Sequence, residues 1–299
     1  MPAFAGIFID EGVPCGASAP NFLVFVVPEV SIPHPPIKSR SAHAVQSAAI
    51  HLLLSAAVAG VVAALVFGFW FPAPLRELVG GTELFWLIVG VDVVCGPLLT
   101  LVVFNPAKPR AELRRDLALV ALIQLLALGY GIHTLAHARP VVLAHEVDRF
   151  RVVTYSDLDE DQDANVPDWA RPWSLTGVRT VGLRPVANSA EMFASIDASL
   201  QGVEPSQRPI WWQDYALSIS KVLERARPLA ELRAKYSDQT GILNAEVKRA
   251  TANIKAGETD NPESLVWLPL VSRRVTDWVV FLDPVTARVR GFVHLDGFF

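Results

Sequence analysis

Three long apolar runs in the first half of the chain constrain what the rest can do. A bilayer core needs about 20 apolar residues in helical form to be crossed, and only a helix or a closed barrel satisfies its own backbone there. Residues 47–71, SAAIHLLLSAAVAGVVAALVFGFWF, contain no Lys, Arg, Asp or Glu. Residues 84–104, LFWLIVGVDVVCGPLLTLVVF, are long enough to span but are interrupted by Asp92 and by Gly96-Pro97. Residues 117–136, LALVALIQLLALGYGIHTLA, make the third run. The expected fold is therefore a membrane protein: three transmembrane α-helices within residues 44–138, then a small α+β periplasmic domain over 139–299. Only 19% of the residues are charged, below the ~25% of soluble domains, and the deficit lies in these spans. Trp70, Trp86 and Tyr130 fall near the ends of the runs, where interfacial aromatics collect.

Orientation follows from the basic residues of the short loops. The loop NPAKPRAELRRD between the second and third runs carries Lys108, Arg110, Arg114 and Arg115, whereas PAPLRELVGGTE between the first and second carries only Arg76. Lys38 and Arg40 precede the first run. The amino terminus and second loop are thus expected in the cytoplasm, and everything after Arg139 in the periplasm. Residues 1–43 are expected to form a disordered cytoplasmic extension, because the segment before Pro36 has no basic signal region and PEVSIPHPPI is proline-rich. A net charge of −4 gives no basic surface for nucleic acid. Two cysteines, Cys15 and Cys95, are too few for a metal cage.

After Pro140 the pattern changes. VVLAHEVDRFRVVTY reads as one strand leaving the membrane, and VRTVGLRPV as another. SAEMFASIDASL, residues 213–225, PLAELRAKYS with Pro228 in a first turn, and ILNAEVKRATANIKAG ending on a glycine stop read as helices. SLVWLPLV, DWVVFLD and RVRGFVHLD read as strands, the last two joined as a hairpin through DPVTA.

Asp92 is the most informative single residue. An ionisable group near mid-span costs about 2.5–3.5 kcal/mol on insertion scales, so it faces a partner or a watery cavity. It either bonds a neighbouring helix, with Tyr130 the first choice and Gln124 the second, or acts directly, in contact with a partner protein or in handling protons. Ala56, Gly60, Ala64 and Gly68 recur at four-residue spacing, which suits close helix packing, within the protein or against another protein's helix. His133 and His137 have zinc-compatible spacing, but HTLAH lacks the Glu of a metalloprotease helix, so they read as interfacial histidines. Asp157, Asp159, Asp161 and Asp163 imitate calcium-loop positions, yet Gln162 stands where the turn needs Gly; a solvated acidic loop is the reading. GxSxG, GxGxxG and GxxxxGK[ST] are missing from the sequence, and no enzymatic activity, cofactor or metal is expected.

Longer strings carry a likeness. HLLLS (51–55), FWFPAPL (69–75), VDVVCGPLLTLVVF (91–104), RRDLALVALIQLLALGYG (114–131) and RPVVLAHEVDRFRVV (139–153) follow one another in order. RARPLAELR, WLPLVSRR and DWVVFLDPVTARVRGFVHLD extend it towards the end. Together they resemble the type IV pilin accessory proteins of the TfpX/TfpZ group. The resemblance implies an inner-membrane protein that assists pilin, the major pilus subunit, in assembly or fibre dynamics through protein–protein contacts. Other pilus assembly proteins and the lipid bilayer are further partners. Its motifs mark Asp92, Gly96, Pro97, Arg139, Pro140, Asp148 and Arg149 as candidate site residues, with Gln124 and Tyr130 beside Asp92. Two other readings share the topology: a sensor or structural subunit of another envelope assembly, and a pilin-modifying membrane enzyme.

Overall fold

The structure is a computed structural model that describes residues 37–105, 107–252 and 254–299. The expected extension up to Pro36 lies outside the described residues. Helix α1 (Ile37–Leu65) begins before the anticipated boundary at residue 44 and runs on as a π-helical turn, Val66–Trp70. A short α2 (Leu75–Leu78) follows, then α3 (Gly81–Val103) and α4 (Arg110–Ala138). Among the described residues, three helices are thus long and apolar enough to cross a membrane. Helix α3 is the central one: α1 and α4 each pack along it and barely touch each other.

Close approach decides where α3 and α4 meet. A Cβ at Gly131 would lie 2.2 Å from Ile88 Cγ2, so the glycine is what lets the helices cross there. On α1 and the π-helical turn that continues it, the packing face carries Ala59, Val62, Ala63 and Val66, which meet Phe85 and Val89 of α3. The four-residue stripe does not take part. Ala56, Gly60, Ala64 and Gly68 are exposed, and a Cβ on Gly60 or Gly68 would meet nothing within 4 Å. The stripe lies beside the buried face because a helix apolar on every side does not record its own rotation.

The second half is a helix-decorated mixed sheet. Strands β1 (Pro140–Glu146) and β2 (Arg149–Thr154) pair antiparallel, so the segment read as one strand is a hairpin. Its two-residue turn is Val147-Asp148, with Val147 at φ 58; a β-branched residue in that region gives no sequence signal for a turn. Strand β3 (Arg179–Leu183) joins β1 in parallel, and β4 (Trp212–Asp214) joins β3 antiparallel. Strand β6 (Val266–Val271) lies parallel to β2, followed antiparallel by β7 (Trp278–Leu282) and β8 (Val289–Val293). Two-residue β5 (Arg227–Pro228) pairs with β6, giving the order β4-β3-β1-β2-β6-β7-β8.

The helices are α5 (Ser189–Leu200), α6 (Ile219–Arg225), α7 (Leu229–Lys235) and α8 (Thr240–Ala250). Several begin or end away from their expected bounds. Residues 212–218 are a strand and a 3-10 turn before α6, Pro228 caps α7 from outside, and α8 stops at Ala250, short of Gly257. The expected β7–β8 hairpin is present, and Asp283 organises it. Its buried carboxylate accepts from the backbone N–H groups of Val285, Thr286 and Thr259 and from Arg290. Burial pushes that carboxyl up, but the N–H donors prevail and hold it below the usual range.

The loop between the first two spans belongs to this domain rather than to the spans. Leu75 and Leu78 of α2 are buried in one core with Leu143, Phe150, Leu270 and Trp278. Ser272 Oγ donates to the Leu78 carbonyl at 2.6 Å. Gly80, at φ 71, is covered by the Arg274 guanidinium, which would lie 1.1 Å from a Cβ there. That loop and the sheet domain therefore share one side of the bilayer.

Candidate functional site

Where α3 is interrupted, the sequence candidates converge. Pro97 lacks the N–H that would bond the Val93 carbonyl, so the ladder of α3 is broken at this level. Gly96 precedes it, and a Cβ there would lie 1.9 Å from Gln124 Nε2. Because that space is open, Gln124 reaches in from α4 and donates to the backbone carbonyl of Asp92 at 3.0 Å. Asp92, Gly96, Pro97 and Gln124 thus form one α3–α4 junction. Tyr130 is not part of it: its side chain is 76% exposed on the outer surface of α4. The expected Asp92–Tyr130 bond is replaced by Gln124, and through the backbone rather than the carboxyl.

Polar capacity is left over at this junction. Asp92 Oδ2 and Gln124 Oε1 are both buried and unpartnered. The Asp92 and Gln124 side chains border a cavity of about 250 Å³ between α1 and α4, whose floor is α3 and whose walls include Ser55, Val58, Ala59 and Leu125. His51 closes the end nearest the second loop, its Nδ1 lying 2.5 Å from Thr100 Oγ1. His51 stands in the HLLLS string, where nothing marks it apart from its neighbours. A His and a Thr separated by 48 intervening positions carry no spacing signal.

A second cluster joins the spans to the domain. Arg139, fully buried at the end of α4, donates through its Nη atoms to the carbonyls of Thr176, Trp169 and Arg171. Burial lowers its pKa to about 10, so it stays charged at neutral pH. Trp70, ending the first span, donates to the Ser174 carbonyl at 3.0 Å. Pro140 is buried as the first residue of β1. Asp148 and Arg149 sit at the β1–β2 turn, paired at 2.9 Å, with Arg149 also over the Phe298 ring. They lie away from the α3–α4 junction in this fold and form a separate surface feature.

The remaining candidates are occupied by local structure. His133 and His137 stack at 4.1 Å, and the His137 ring bonds the His133 carbonyl. Among the described residues no His, Cys, Asp or Glu group is assembled to hold a metal ion. In the acidic loop Asp157 caps Thr154, Asp159 pairs with Arg208, and Asp163 accepts from the Tyr155 hydroxyl. These carboxylates serve different partners and do not converge.

Fold and site define a class: a polytopic membrane protein whose first interhelical loop and carboxy-terminal sheet domain form one body, with a largely apolar groove among its spans bordered by Asp92 and Gln124. Residues 39–80 match the family model described as fimbrial assembly protein FimB. The chain is 34% identical to a fimbrial assembly protein of serogroup I from Dichelobacter nodosus, over 87% of this chain and 98% of that protein. It is 33% identical to the serogroup E1 protein over the same shares. A shorter serogroups C1 and C2 protein is 41% identical over 42% of this chain and 95% of its own length. No solved structure gives a significant match. The chain belongs to the fimbrial assembly protein family.

Proposed function

We propose that this protein is an inner-membrane accessory factor that binds the type IV pilin subunit and promotes its assembly into fimbriae by contact rather than by covalent chemistry. One observation carries the reading: fimbrial assembly relatives align over 87% of the chain, spans and sheet domain together. The clustered Lys108, Arg110, Arg114 and Arg115 of the second loop support a periplasmic sheet domain, since basic short loops stay in the cytoplasm. Both contact surfaces would then be available to a membrane-anchored subunit, the spans within the bilayer and the domain outside it.

Deletion of the gene in the organism of origin, with complementation, tests the reading. Surface fimbriae should disappear or fall sharply while the fimbrial subunit persists in the membrane. Unchanged fimbriation would sink it, and a covalently altered subunit in wild type alone would favour a modifying enzyme.

A further inference from the structure

We propose that the groove between α1 and α4 is a slot for one transmembrane helix of a partner, held by a hydrogen-bond donor side chain at the level of Asp92. The inference deepens the assembly-factor reading and rests on it for the partner being a fimbrial subunit.

The three helices leave a place for a fourth. Helices α1 and α4 flank α3 without closing on each other, so the face of α3 between them opens laterally. Both unpartnered acceptors, Asp92 Oδ2 and Gln124 Oε1, are covered within the bundle, but their side chains border the cavity in this opening, and a turn of the Asp92 carboxyl about its terminal bond presents that oxygen to an occupant. Asp92 is eleven residues from Gly81 in a helix of 23, about 16 Å along its axis, which is mid-span. Water is scarce at that depth, and polar groups of a membrane helix find partners on neighbouring helices.

The chemistry selects the occupant. A lipid acyl chain fits an apolar groove but has no donor and leaves both oxygens unpaired. A second copy of this chain offers Tyr130 as a lipid-facing hydroxyl donor, but Tyr130 is six residues outward of Gln124, about 9 Å. A partner helix with Ser, Thr, Asn, Gln or a protonated carboxyl at mid-span supplies what is missing. Ser55 and Ala59 on α1 and Ala121 on α4 are short, so the partner's backbone can come close. The cavity of about 250 Å³ has room for its polar side chain.

Photocrosslinking in living cells of the organism of origin tests the slot with the full-length protein. Benzoylphenylalanine is placed at Val58 or Leu125, which line the groove, and at Leu53 or Ile123, which are exposed on other faces of the same helices. The groove positions should capture another protein's apolar helix, mapped by mass spectrometry to a segment bearing a donor residue. The yield should fall at least fivefold in Asp92→Leu and in Gln124→Leu, and stay within twofold in Asp92→Asn. Limited proteolysis identifies any variant that has unfolded; two leucine variants keep the comparison available if one fails. Capture of lipid alone, capture of a second copy, equal yields from Leu53 and Ile123, or yields indifferent to both leucine substitutions would each overturn the slot. A mapped helix from a protein unrelated to fimbriae keeps the slot and removes the fimbrial reading. Lost fimbriation on deletion with nothing captured does the reverse.

Discussion

His145 shows how much a single buried side chain can report. It is 6% exposed in β1, with its Nε2 buried and unpartnered. Burial lowers its pKa to about 4, with Lys221 and Arg225 lowering it further and Asp148 opposing them. In the unfolded chain an imidazole titrates near 6.5, so between about 6.5 and 4 the unfolded state binds more protons and stability falls as pH falls. The loss is at most about 3 kcal/mol. Thermal unfolding of the purified protein from pH 7 to 4 should show this slope, and His145→Phe should flatten it. A slope unchanged in the variant assigns it to other groups. Glu191 and Glu258, held near 2 by Arg184 and Arg288, add their own loss only below the usual carboxylate range, about 4.5 downward. Val147, at φ 58 in an exposed turn, gives a second expectation. Val147→Asn should stabilise by about 1 kcal/mol, since Asn tolerates this conformation and valine does not; a lower melting temperature would count against the turn. The residues legible in sequence were those with an unusual charge or a broken helix pattern, Asp92 and Gly96-Pro97. Tyr130 was not, because six residues beyond Gln124 it points about 120° around α4 from it, a rotation that an all-apolar helix does not record in its pattern.

Among the elements, α2 was the one least visible beforehand. Four residues, Leu75–Leu78, between two spans read as a loop, yet two of its leucines fill the core of a domain that begins some sixty positions later. No local pattern encodes a contact with so distant a partner. The spans and the β7–β8 hairpin were legible because apolar length and alternation are local properties, whereas the β1–β2 turn broke the usual turn chemistry. Leu78 is fully buried, so Leu78→Ala should cost about 2–5 kcal/mol. It should also make that loop sensitive to protease in membrane vesicles that expose its side. Helix α5 gives the contrast. None of its residues is buried, and Phe193 is 66% exposed. Phe193→Ser should therefore shift stability by no more than about 0.5 kcal/mol. A large destabilisation would show α5 packed against something in the folded protein.

For the whole molecule, sidedness is the measurable property. The packing of α2 into the sheet domain requires the first loop and the carboxy terminus to lie together, opposite the second loop. Alkaline phosphatase fused after Phe299 should be active and a fusion at Ala107 inactive, given the basic residues beside Ala107. The reverse pattern would invert the orientation, and activity at both positions would break the three-span arrangement. The same packing has a mechanical consequence. Arg139, Trp70 and the leucines of α2 tie the domain to the spans at three places, so it cannot swivel freely on a tether. A subunit gripped in the bilayer and at its head would be held at one fixed height and one fixed bearing. The protein would then work as a jig, presenting each subunit to the growing fibre in the same pose as the one before.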